Sequence, residues 1–129
     1  MASNPDFEEG TLEYWFTTET LGTRPTTWFV ALHTGDPGTG LDNECADANY
    51  ARQSVTMEVV ADGDGFIARN TADLVFPALD AGATISWVSV NTEVTAGSAI
   101  RSAQIPVAKV FSAGGVPRIP AQELVFEGV

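Results

Sequence analysis

The chain has 129 residues, 44% apolar and 18% charged, an ordinary globular composition with room for one core and not two. Seventeen acidic residues against six scattered basic ones give a formal net charge of -11, which argues against a nucleic-acid partner, since phosphate backbones are held by clustered Lys and Arg. No run approaches the ~20 apolar residues of a membrane helix, so no membrane partner is expected, and the single cysteine, Cys45, permits neither an internal disulfide nor a Cys-rich metal site.

The N-terminus MASNPDFEEG lacks the basic-then-apolar order of a signal peptide, so assembly on the cytoplasmic side of the host is expected. Residues 4–19 read as a short helix. Asn4 can cap it, Pro5 suits the first helical position, and Asp6, Glu8 and Glu9 complement the helix dipole. Leu12, Trp15 and Phe16 share one stripe, against which Gly10 counts by ~1 kcal/mol. The alternative is an extended arm over residues 1–20. In either form Tyr14, Trp15 and Phe16 are more aromatic surface than a small helix needs for itself: they either staple the helix to its own sandwich or form part of an intersubunit contact, and they are the candidate interface residues.

From residue 26 the texture is that of strands. TTWFVALHT, residues 26–34, is apolar on both parities, as a strand buried on both faces would be. YARQSVTMEVV, residues 50–60, alternates, with Val55, Met57 and Val59 on one side. DGDG at 62–65 is a turn, and FIARNTADLVFP at 66–77 holds one or two strands ended by Pro77. ATISWVSVNTE at 83–93 is β-branched and aromatic. SAIRSAQIPVAKVF at 98–111 is a strand pair or one bulged strand, because Pro106 cannot donate inside a sheet. A Gly-Gly turn, a proline-flanked edge segment and a last strand, ELVFE, follow. Seven or eight short strands with regular turns predict an all-β fold, a two-sheet antiparallel sandwich of the jelly-roll kind. Residues 1–129 would form one such domain. Trp28 and Trp87 fall within the strand patterns and are expected in the core.

Residues 34–49 interrupt this rhythm with a long segment that has no evident element and is rich in carboxylates. Loops of that length in a compact domain are functional or are ordered by a partner. The only histidine, His33, stands at its entrance beside Asp36, which raises the question of a catalytic corner. There is no G-x-S-x-G elbow and no nucleophile signature around Cys45, and a lone histidine at a strand end is more often tied to a nearby loop. Asp62 and Asp64 start like a calcium loop, but Ile67 stands where the tight-turn glycine belongs and Asp73 where a bidentate Glu belongs. Turn chemistry accounts for them. No pair of carboxylates stands out for sugar hydrolysis, and no glycine loop is followed by the residues that cradle phosphate. No catalytic, cofactor-binding or metal-binding residues are therefore expected.

The stretch WFVALHTGDPGTGLDNECADANYARQSVTM resembles a family of small phage virion proteins. Their shared pattern is a strand, then LHT-[AG]-DPG, a TG-x-NE loop, and YARQ-x-V-T-F. In this chain the pattern falls on Leu32, His33, Thr34, Gly35, Asp36, Pro37 and Gly38, on Thr39, Gly40, Asn43 and Glu44, and on Tyr50, Ala51, Arg52, Gln53, Val55 and Thr56. Met57 stands where an aromatic is common. NTADLVFPA and the closing PVAKVFSAGGVPRIPAQELVF are similar to further segments of the family, so the likeness covers about residues 10–127. Two departures fall in the late turn and before the last strand: Gly115 and Val116 where the family often has Asp, and Gln122 where it has glycine.

The resemblance implies a structural role in a virus particle and no catalytic residues. Members are described either as capsid decoration (cement) proteins or as tail-fibre proteins. A compact acidic chain with an aromatic arm suits the first: a homo-oligomeric cement on the outer capsid surface, bound to the major capsid protein and stabilising the assembled lattice by mass action. The alternative is a tail or tail-fibre component or receptor-binding module. Residues 14–16 and the 34–49 loop are the expected contact regions. Within the motif, Asp36 or Glu44 is expected to pair with Arg52 and pin the long loop to the sheet.

Overall fold

The computed structural model describes residues 2–3, 26–38, 42–97 and 99–127. Among the described residues there are ten strands and no helix: β1 (Ala2–Ser3), β2 (Trp28–His33), β3 (Gln53–Val55), β4 (Met57–Asp62), β5 (Gly65–Asn70), β6 (Leu74–Val75), β7 (Gly82–Asn91), β8 (Ala99–Ser112), β9 (Arg118–Ile119) and β10 (Val125–Glu127). The helix expected over 4–19, and with it Tyr14, Trp15 and Phe16, lies outside the described residues.

The strands form antiparallel sheets packed on one another. A five-stranded sheet has the order β1-β8-β7-β2-β3, a three-stranded sheet the order β10-β5-β4, and β6 pairs with β9. One core joins them. Val30, Leu32, Val55, Ile85, Val88 and Val90 come from the large sheet, Phe126 from the second, Leu74 from the third, and Phe76 and Leu124 from the segments between. Ladder register explains the choice: Val30 faces Val90 and Leu32 faces Val88, so one side of β2 and β7 is a continuous aliphatic surface.

The double-sided burial expected of residues 26–34 is present over residues 30–33, while Thr26, Thr27 and Thr34 are exposed. Val30, Ala31, Leu32 and His33 are all buried, and on the face away from the core Ser89, Asn91 and Ser102 are buried as well. Trp28 packs half-buried against the core, whereas Trp87 is paired with His33 on the other face and is also half-buried. The 50–60 alternation is split at Thr56, where the chain leaves the large sheet as β3 and enters the second as β4. Its predicted single face therefore grades outward, with Val55 buried, Met57 half-buried and Val59 exposed. Residues 66–77 hold two strands, parts of β5 and β6.

The 98–111 segment is a single bulged strand. Trp87 pairs with Gln104 and Ile85 with Lys109, which leaves Ser86 alone opposite residues 105–108, with Pro106 inside the bulge. At the start of β7, Gly82 has φ +93, and a Cβ there would lie 2.2 Å from the Phe111 carbonyl oxygen, so only glycine fits. Gln122 keeps a left-handed φ of 67 at the position where the resembled family has glycine.

Candidate functional site

The described parts of the long loop, residues 34–38 and 42–49, are tied back to β2, and Glu44 forms an antiparallel bridge to His33. The Thr34 amide donates to the Asn43 carbonyl at 2.8 Å and the Cys45 amide to the Leu32 carbonyl at 2.8 Å. Its outer turn is Asx chemistry. The Asp36 carboxylate accepts the Gly38 N–H at 2.8 Å, Asn43 Nδ2 donates to the Asp36 carbonyl at 2.9 Å, and Pro37 between them is buried.

His33 sits at the base of this excursion with 0% of its surface exposed. Its Nδ1 lies 2.9 Å from the Asp42 backbone carbonyl and its Nε2 2.7 Å from Ser89 Oγ. A carbonyl can only accept, so Nδ1 carries the proton and Nε2 accepts from the Ser89 hydroxyl. Ser89 Oγ in turn accepts from Asn91 Nδ2 at 2.9 Å. Burial pulls the His33 pKa below its ordinary 6.5 against the raising effect of the Asp42 carbonyl and Glu44, so the ring is held neutral. A serine hydroxyl on a histidine nitrogen is the spacing of a catalytic dyad, yet Ser89 is also 0% exposed and the second ring nitrogen faces a backbone carbonyl rather than a carboxylate. No substrate atom can reach this hydroxyl in the folded chain. The pair fixes the strand end to the loop.

Beside it lies the carboxylate–guanidinium pair. Of the two candidates, Glu44 takes Arg52 and Asp36 does not. Arg52 Nε donates to Glu44 Oε2 and Arg52 Nη2 to Glu44 Oε1, both at 2.8 Å, the two-pronged geometry that guanidinium favours. Arg52 Nη1 reaches the other way, to the carbonyls of Glu93 at 2.8 Å and Ala96 at 3.0 Å. One buried side chain thus ties the 34–49 loop to the 92–97 turn between β7 and β8. Tyr50 completes the set: its hydroxyl donates to Glu44 Oε2 at 2.6 Å, accepts the Leu32 amide at 3.1 Å, and its ring stacks on Phe76. Burial drives the Tyr50 hydroxyl pKa far up, and the Glu44 carboxylate beside it adds to the effect. Burial alone would raise the Glu44 carboxyl; hydrogen bonds from Arg52 and Tyr50 outweigh it and hold Glu44 below its ordinary value. A hollow of about 380 Å³ opens next to Glu44, Tyr50 and Arg52, but these groups already bond to one another. Cys45 in its wall is buried, and desolvation raises its thiol pKa, which leaves it an inert core residue.

Sequence reasoning missed four anchoring residues. Ser89 and Asn91 looked like ordinary strand residues, although their parity with Trp87 marks a second face. Asp47 accepts the backbone N–H groups of Asn49, Asp80, Ala81 and Gly82 at 2.8 to 3.1 Å, joining the end of the long loop to the start of β7. The bond from the Asp80 amide, with those from the other three, holds its carboxyl below the ordinary carboxylate range. Asn70 is fully buried, donates to the Ala72 and Pro120 carbonyls and accepts the Leu124 amide, bracketing the approach to β10. Among the described residues no group of three or more His, Cys, Asp or Glu is placed to hold a metal ion.

The family model described as Podophage GP4 fiber I protein gp80 matches residues 6–127. The chain belongs to that family. It is a phage virion structural protein, and its place is in the virion. The curated proteins contain no match to it.

Proposed function

We propose that this protein is a component of the tail-fibre apparatus of a podophage, a rigid β module that presents or connects surfaces and carries out no bond-making chemistry. The observation that carries the reading is the match of a fibre family over residues 6–127. The site supports it. The side chains that looked most like catalysts, His33 and Ser89, are sealed, and the strongest polar groups are spent on holding two loops to the large sheet. The expectation of capsid cement bound to the major capsid protein gives way to the tail alternative, because the family description names a fibre and no observation on this chain points to a capsid lattice. The Leu32–Gly38, Glu44, Tyr50 and Arg52 motif acts as a brace that sets the shape of the 34–49 loop for whatever that loop meets.

Fractionation of purified virions tests this. Heads and tails are separated and the protein is quantified by mass spectrometry in each. The expected result is low copy number, co-purifying with tails. Stoichiometric recovery on tail-free heads would overturn the fibre assignment and restore the cement role.

A further inference from the structure

Two surface features of this molecule bear on how it meets a partner. The first is the β4–β5 hairpin. Its ladder places Phe126, Ala68 and Val59 in one row and Phe66 and Ala61 in the next row on the same side. Phe126 is buried in the core, but Val59 is 70% exposed and Phe66 63% exposed. The core-facing side of the second sheet therefore runs out past the core and ends in an uncovered aromatic, flanked by the exposed carboxylates of Asp62 and Asp64 in the turn. The second feature is a groove of about 650 Å³ between β7–β8 and the β9–β10 segment, walled by Val88, Ile105, Phe111 and Ile119. Lys109, the only lysine of the chain, stands in its wall and has no ion-pair partner among the described residues. Arg118 in the wall pairs with Asp73, and Glu123 is the acidic residue of the lining.

The tip of the hairpin is set apart from the chain's own groove: Arg69 is opposite Val125, the last lining residue on β10, and from there Phe66 lies three residues along β5, about 10 Å at strand rise, with the turn beyond it. Phe66 and the groove are thus separate patches on one chain, both apolar, and among the described residues the carboxylates at the knob and the ammonium at the groove have no ion-pair partner. In a chain of net charge -11, contact between like acidic patches is disfavoured, and this pairing brings opposite charges together.

We propose that the occupant of the groove is the β4–β5 hairpin of a second copy of this chain, so that the protein self-associates head to tail. Phe66 and Val59 of one copy enter the apolar groove of the next, and Asp62 and Asp64 come against Lys109. Such a contact joins two different patches, so it closes into a ring, continues as a filament, or, where two copies exchange hairpins reciprocally, forms a twofold pair. The assembly is independent of where in the particle the protein sits.

The test is sedimentation velocity on the full chain from about 1 to about 100 μM, the range in which an interface of modest size is populated. The parent chain is expected to form oligomers. Phe66→Asp and Lys109→Glu each alter an exposed residue, and each is expected to weaken association about 100-fold, because like charges or a buried carboxylate then meet at the contact. Circular dichroism verifies the fold, and Asp64→Lys is the second knob variant should Phe66→Asp not fold. The decisive step is mixing. Phe66→Asp keeps an intact groove and Lys109→Glu an intact hairpin, so together they are expected to give one-to-one dimers and nothing larger. Asp64→Lys combined with Lys109→Glu is expected to restore oligomers. A parent chain that stays monomeric throughout the range overturns the proposal and means that the groove is open or is filled from within the chain. Variants that assemble like the parent, or that fail to dimerise on mixing, overturn it as well.

Discussion

The His33–Arg52 corner and the β8–hairpin side of this molecule use their side chains in opposite ways. At the corner every strong polar group turns inward: His33, Ser89, Glu44, Tyr50 and Arg52 bond to one another or to backbone, and the strand end beneath them is buried on both faces. On the other side apolar groups turn outward, with Val107 76% and Val110 79% exposed along the bulged strand. The contrast teaches that the residues which look chemical in the sequence are structural, and that some apolar strand residues stand outside the core and are open to contact.

The largest effect expected is at the corner. Arg52→Ala leaves Glu44 without its counter-charge and frees two loops, for a loss toward the lower end of about 3–5 kcal/mol, since Glu44 is only half-buried. Urea denaturation reads the loss, and limited proteolysis should cut within residues 34–49 and 92–97 first. Equal protease resistance of both loops in the variant would break the comparison, since the brace would then hold nothing.

The same corner should respond to acid in two stages. His33 is neutral when folded, with a pKa below the 6.5 of the unfolded chain, so its contribution is whole above 6.5 and is lost as pH falls below it. The slope reaches at most about 1.4 kcal/mol per pH unit for one proton. Glu44, held below its ordinary 4.5, contributes above that value and is lost as pH falls through its folded pKa. Denaturation midpoints measured across this range should show the first stage in the parent chain and not in His33→Gln; a parent profile that stays flat down to pH 4.5 would remove the neutral histidine from the account.

Smaller effects sharpen the other side. Gln122 adopts a left-handed backbone that costs an L-residue about 1–2 kcal/mol, so Gln122→Gly should raise stability by about 0.5–1 kcal/mol after the extra chain entropy of glycine is counted. Thermal melts check the sign. Val107→Thr and Val110→Thr should change stability by less than about 0.5 kcal/mol, because neither side chain is packed. A loss well above that in the isolated chain would show that the outward valines are stabilising their own fold.

Much of the architecture was legible. Alternation and turn residues located the strands, and proline placed the bulge of β8, because these are local constraints that the chain carries wherever it folds. The Glu44–Arg52 pair was half-legible: the motif gave Arg52 and two carboxylates, and only the returning strand bridge at Glu44 could choose between them. Ser89 was invisible as the partner of His33, being 56 positions away and one of many serines in strands. Val59, placed on one side with Val55 and Met57, stands exposed for the reverse reason. Alternation tells which side of a strand faces the core and says nothing of where the opposing sheet stops.

The placement of Leu124 and Phe126 has a consequence for biosynthesis. Both side chains fill the interior, and Phe126 docks on β5, some sixty residues upstream. A nascent chain still lacking them holds an unfilled hydrophobic centre. Closure of the core must therefore await the emergence of these residues from the ribosome, and until then apolar surface of the earlier strands stays exposed to aggregation.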